Sequence, residues 1–266
     1  MTWLQQIDLR QFLIFTLVLT RVSGLMVIAP FFGSVSIPVR VRAFIAFALA
    51  VLITPTQLDV PITFPQNLID YSIFIGGELL AGITLGMGTL ILFAGIQVGG
   101  QIIATVGGSA LANVLDPSSG TSVPVMAQFL FLFTLALFLI IGGHRMVMDA
   151  LLSTFVTVPP GTAGLDSTIA QTLSQLIGQS FVLAMRTAAP TVTALLLSTL
   201  VLGLISRTMP QLNILAVGFG LNSLVTMGTT AVTLGVVGWL FQNDLEPALE
   251  SLLNAVNSMR GAIPQG

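Results

Sequence analysis

The chain has 266 residues, 55% of them hydrophobic and 7% charged, with a mean hydropathy of +1.01 and a formal net charge of −2. A soluble domain carries about a quarter charged residues, so a bilayer or large partner surfaces must cover much of this apolar area. All eight basic residues are arginines, too scattered for a phosphate-binding patch, which argues against nucleic acid; with no cysteine, disulfides, thiolate metal sites and cysteine nucleophiles are excluded.

The first stretch does not read as a cleaved signal. Asp8 and Arg10 cancel, Arg21 interrupts the apolar run, and no small-x-small site follows. Charges then punctuate the chain and measure the candidate spans, each needing about 20 apolar residues. Charge-free windows run over 22–39, 43–58, 79–115, 117–144, 187–206 and 208–243. They predict an all-α membrane protein with six hydrophobic helices centred near residues 20, 50, 85, 132, 196 and 226.

Several helices are expected to be broken. Pro30, Pro38, Pro61, Pro65, Pro124 and Pro190 interrupt the pattern, because proline removes a donor and clashes with the preceding turn. Such breaks are tolerated at membrane depth only where protein or a water-filled cavity surrounds them. Arg21, Glu78 and Arg186 lie within or beside apolar runs and are expected to be buried charges facing protein or water, since a charge at the bilayer centre costs about 2.5–3.5 kcal/mol. Glu78 is the lone acid of its stretch; it is either functional or paired with an arginine such as Arg186.

Residues 58–66 and 158–167 read as connectors, the second carrying Pro159-Pro160-Gly161 and marking a boundary between halves. Asp166 or Ser167 is placed to cap a helix running toward Arg186. Arg40 and Arg42 form the one basic loop pair, which puts the first hairpin turn and the Arg207 turn on the cytoplasmic side and both termini outside, with Arg145 on the opposite side from the rule.

Glycine is the most informative residue type. Eleven of the 26 glycines fall between Gly76 and Gly120. Gly82 with Gly86, and Gly95 with Gly99, have the spacing that lets helix backbones approach closely. Beyond Gln101 the pattern changes to the uncharged small-residue run Val106, Gly107, Gly108, Ser109, Ala110, Leu111, Ala112, Asn113, Val114 and Leu115, ending at the turn signal Asp116-Pro117. That run suits a loop inserted in a confined space or a re-entrant transporter segment. Arg207, Pro210, Gln211 and Asn213 form a polar turn between apolar runs, either a plain hairpin or a docking tip.

No catalytic, cofactor or metal site can be assembled. His144 is the single histidine and sits beside Arg145 and Asp149, without a second histidine or a carboxylate cluster at ligand spacing. It reads as a helix-end residue. The chain is expected not to be an enzyme.

The run Arg21 to Gly33 with Ile37-Pro38 resembles the FliR family of flagellar type III export-gate subunits. The resemblance continues through Gly99-Gly100-Gln101, Asn113 to Gly120, Gly143-His144, Ser153 with Phe155 and Pro159, Ala188-Ala189-Pro190, and Arg207 with Pro210 to Asn213. The Asp116-Pro117-x-x-Gly120 loop favours the flagellar branch over its injectisome relatives. Where a lysine commonly follows the Pro-Gln turn in the family, this chain has Asn222. The resemblance implies a FliP-like part over 1–167 and a FliQ-like helical hairpin over 168–266, packed in a helical gate with five FliP and four FliQ. It further implies a pore plug from Val106 to Pro117, a cytoplasmic turn at Arg207 to Asn213 near FlhB, and passage of unfolded export substrates through an inner-membrane assembly raised toward the periplasm. A secondary transporter with discontinuous helices and Glu78 as its coupling acid is the alternative.

Overall fold

The computed structural model describes residues 9–33, 37–60, 67–108, 123–164, 166–209, 211 and 213–260. Among these residues it holds seven α-helices: α1 (Leu9–Ile28), α2 (Val39–Ile53), α3 (Leu68–Val106), α4 (Val125–Ile140), α5 (Gly143–Thr157), α6 (Ser167–Thr208) and α7 (Ile214–Ser258). The one extended contact described is an isolated antiparallel bridge between Ala163 and Arg260. The fold is therefore all-α. Five helical stretches are long and apolar enough to cross a membrane, and the bent pair α4 and α5 makes a sixth if counted as one span.

Prolines and polar caps set most boundaries. α1 ends two residues before Pro30, since a residue preceding proline is pushed out of helical geometry. Pro38 and Pro124 stand at the N-caps of α2 and α4, where a missing N–H costs nothing. Pro55 opens a short 3-10 turn, Thr54–Gln57, that prolongs α2. Asn67 caps α3 by accepting the Asp70 N–H at 2.9 Å. Asp166 caps α6, as the sequence suggests: its Oδ1 accepts the Thr168 N–H at 3.1 Å. Pro190 corrects an expectation. It lies inside α6, whose 42 residues continue past it. Proline in a helix interior costs about 3 kcal/mol, and α6 continues despite it.

The Asp166 carboxyl is held below its ordinary value by the Ser258 hydroxyl first, then by the backbone N–H and hydroxyl of Thr168 and the hydroxyl of Ser167. A depressed carboxyl stabilises the fold above its unfolded value of 3.8 and loses that contribution as pH falls through the folded value. Acid titration of Asp166→Asn is therefore expected to lack a destabilising step that the parent shows below pH 3.8; identical acid-unfolding curves would contradict this.

The chain divides into two compact units. One comprises Met1–Leu90, Gly142–Leu176 and Leu245–Gly266; the other comprises Ile91–Ile141 and Ile177–Asp244. In the first, Leu17, Val22 and Leu25 of α1, Ala81 and Leu85 of α3, Leu151 and Phe155 of α5, and Leu252 of α7 are all buried. Its Pro-Pro-Gly turn is part of the core. Val158 and Ala163 are buried, and the Gly164 N–H donates to the Met259 carbonyl at 3.0 Å. The second unit centres on Phe93, whose ring meets Phe131, Phe138 and Phe241 edge to face at centroid distances of 5.9, 5.4 and 5.2 Å. Each such pair is worth about 0.5–1.5 kcal/mol beyond the area it buries.

Glycines bring α3 against its neighbours, as their spacing predicts. In the first unit, a Cβ on Gly82 would strike the Arg21 carbonyl of α1, and one on Gly86 would meet Ile28 at 3.0 Å. In the second, Gly95 lies where a Cβ would come within 2.6 Å of the Ser180 carbonyl of α6, and Gly100 within 2.6 Å of the Ala127 Cα of α4. Burial differs sharply between spans. The most apolar window of α3 is 61% buried, against 17% for α2 and 22% for α6.

Candidate functional site

Two opposite charges sit inside the first unit. Arg21 of α1 and Glu78 of α3 are both 0% exposed, and Arg21 Nε donates to Glu78 Oε2 at 2.7 Å. The α1 face carrying Arg21 also carries Ile14, Leu17, Val18 and Leu25, so helical periodicity alone brings this cation inward. Burying two ions costs several kcal/mol each, recovered only when geometry is good and the remaining lone pairs are satisfied. Here Glu78 Oε1 accepts the Gly161 N–H at 2.8 Å. Arg21 Nη1 donates to Thr154 Oγ1 at 3.2 Å, and the guanidinium carbon lies 4.4 Å from the centre of the Phe155 ring. The network ties α1, α3, α5 and the Pro-Pro-Gly turn together.

From the sequence, Arg186 is a candidate partner for Glu78 and a third buried charge. The structure corrects both: the partner is Arg21, and Arg186 is exposed on α6. Arg186 belongs to the face that carries Met185 and Ala189, which the chain leaves uncovered, whereas the neighbouring Thr187 and Ala188 turn inward. Thr154, Phe155 and Gly161 carry no ionisable signal, so nothing in the sequence marked them as members of the network. The one available clue was that Arg21 and Glu78 are opposite charges set within apolar stretches of α1 and α3.

The run after α3 begins with a helix stop. The Gly107 N–H donates to the Ile103 carbonyl at 2.9 Å, and Gly108 takes the left-handed conformation (φ +80°) that ends many helices. Val106, Gly107 and Gly108 belong to this terminus; Ser109 to Pro117 lie outside the described residues. At the other candidate turn, Arg207 is exposed in the last turn of α6, Gln211 and Asn213 are exposed between α6 and α7, and Pro210 lies outside the described residues. Asn222 does not project from that turn, for its Oδ1 accepts the Ser198 hydroxyl of α6 at 3.1 Å. His144 stands in the first turn of α5, half-buried, after Gly142 (φ +78°) has turned the chain. Among the described residues no three His, Asp or Glu side chains gather as metal ligands.

Apolar helices joined by glycine contacts around a buried ion pair, with long faces left uncovered, define an all-α protein built for a membrane. The sequence pattern of the bacterial export proteins, family 1, matches residues 12–248. The flagellar biosynthetic protein FliR of Bacillus subtilis (strain 168) is 31% identical over 246 residues, 90% of this chain and 93% of that protein. FliR of Escherichia coli (strain K12) is 31% identical over 223 residues, 82% and 83% of the two chains. FliR of Aquifex aeolicus (strain VF5) is 29% identical over 227 residues, 82% and 84%. The chain belongs to the bacterial export proteins, family 1, and within it to the FliR family.

Proposed function

We propose that this chain is a subunit of the flagellar type III export gate, forming with FliP and FliQ the channel through which unfolded flagellar proteins pass. The observation that carries this reading is the family match over 12–248, and the uncovered apolar faces of α2 and α6 support it. Such faces need neighbours, in lipid or in protein. In this reading residues 1–167 form the FliP-like part and 168–266 the FliQ-like hairpin, beside five FliP and four FliQ. The assembly sits in the inner membrane and is raised toward the periplasm. The chain works as a passage and a seal, with no chemistry of its own.

The plug is assigned to Val106 to Pro117. A segment that fills and then leaves a pore must be small, uncharged and released from helical pairing, and the Gly107-Gly108 stop of α3 supplies that release. The exposed Arg207, Gln211 and Asn213 face the cytoplasm and FlhB. The transporter alternative has less support, because Glu78 is fully buried and held by Arg21 and the Gly161 N–H.

Two experiments test this. Affinity purification from membranes is expected to recover FliP-like and FliQ-like partners in the same complex; a stable monomer or homodimer that binds a small solute would support the transporter instead. Deleting residues 107–119 is expected to make membranes leaky to small ions while the complex still assembles. A tight membrane with the shortened loop defeats the plug assignment.

A further inference from the structure

Within the second unit, α6 and α7 lie antiparallel in a register fixed by two direct contacts and one shared neighbour. Gly218 faces the Leu202 side chain, with a Cβ there 3.4 Å away. Ser198 bonds Asn222. Leu195 and Thr226 both border Gly107, whose Cβ would lie 3.6 Å from Leu195 Cδ1 and 3.0 Å from Thr226 Oγ1. Each helical turn back along α6 is thus met by a turn forward along α7. The next step places Thr191 opposite Thr230, with Thr187 one turn further, against Gly99.

These threonines behave unlike their neighbours. Thr193 and Thr199 of α6, and Thr229 and Thr233 of α7, donate to the carbonyl four residues earlier at 2.6–2.9 Å. This is the usual way a threonine hydroxyl is satisfied in an apolar helix. Thr187, Thr191 and Thr230 are 2%, 0% and 3% exposed, and their hydroxyls find no hydrogen-bond partner. A single buried hydroxyl without a partner is a local misfit. Three on successive turns of one seam share a cause, since each unsatisfied group costs free energy and apolar substitution would remove it.

We propose that Thr187, Thr191 and Thr230 bound an internal hydration site, where one or a few water molecules bridge α6 and α7. The chemistry selects water over other ligands. The site offers hydroxyls that both donate and accept, and no charged side chain is among them. Water held by two to four such partners is a structural component, whereas apolar cavities stay dry. The seam so formed differs in kind from the glycine contacts of α3. At Gly95 and Gly100 backbones meet with no intervening layer, but a water-bridged level lets two helices shift and re-form their bonds. It ends beside Gly107, where α3 stops.

The test uses the assembled protein in membranes with threonine methyls isotopically labelled. Magnetisation from water should reach the Thr191 and Thr230 methyls rapidly. It should not reach Thr134, which is equally buried but bonded to the Leu130 carbonyl at 2.8 Å. A Thr191→Val, Thr230→Val double variant keeps the shape and removes two of the water's partners. Its Tm in the purified complex is expected to fall by about 2–4 °C or more, while Thr134→Val shifts it less. Methyls as dry as Thr134, or a double variant of unchanged or raised Tm, would overturn the proposal; both expected results are required to sustain it.

Discussion

Glu78→Ala is expected to cost about 3–5 kcal/mol and to empty the membrane of folded protein, because it leaves the Arg21 guanidinium buried without a counter-charge. The loss has two parts. Arg21 retains only Thr154 and the Phe155 face, and the Gly161 N–H loses its acceptor. Glu78→Gln separates them: its amide oxygen still accepts from Gly161, but no charge opposes Arg21, so an intermediate defect is expected. The double variant Arg21→Met, Glu78→Leu should recover most of the stability, since well-packed apolar replacements of buried ion pairs are often neutral or better. Membrane levels and thermal unfolding of the extracted complex read all three. If the double variant is as unstable as Glu78→Ala, charge balance is not what holds these helices.

Two adjacent glycines should give opposite results. A Cβ on Gly77 would strike the Ala163 carbonyl of the Pro-Pro-Gly turn, whereas one on Gly76 meets nothing within 4 Å. Gly77→Ala is expected to destabilise by about 1–3 kcal/mol, the usual cost of overpacking. Gly76→Ala should be neutral or stabilising by up to about 1 kcal/mol, because alanine loses less freedom in a helix than glycine. Gly82→Ala belongs with Gly77→Ala, since it pushes α3 off the Arg21 carbonyl and so disturbs the ion pair as well. Equal stability of Gly76→Ala and Gly77→Ala in thermal unfolding would show that the turn yields freely, contrary to its buried setting.

Local signals in the sequence were dependable where one residue decides one feature. Asp166 caps α6, one of the two residues the sequence offers for that role, whereas Pro38 and Pro124, expected to break helices, stand at the N-caps of α2 and α4. The spacing of Gly82 and Gly86 announced the close approach of α1 and α3 without naming α1 as the partner. What stayed hidden depends on distance along the chain. Arg21 and Glu78 are 57 residues apart, and no periodicity tells a buried acid which arginine it will meet. Pro190 does not break α6, because proline's cost is local while the helix extends 42 residues around it. α5 is absent from the six predicted spans because its sequence, with His144, Arg145 and Asp149, falls between the charge-free windows. Of the candidate plug only its helical root is described, and the turn signal at Asp116-Pro117 lies outside.

α3 is 39 residues long, which at 1.5 Å per residue makes a rod of about 58 Å. The hydrocarbon of a bilayer is about 30 Å thick, and transmembrane helices tilt by at most about 40°. Even at that extreme the rod rises about 45 Å, so roughly 15 Å of it must stand clear of the oil. Yet its sequence stays greasy almost from end to end, and the window that looks most like a span is the one the chain itself wraps most fully. Hydropathy in this protein therefore measures dryness rather than depth. That stretch is kept dry largely by its own neighbours, and lipid is only one of the materials that can do so.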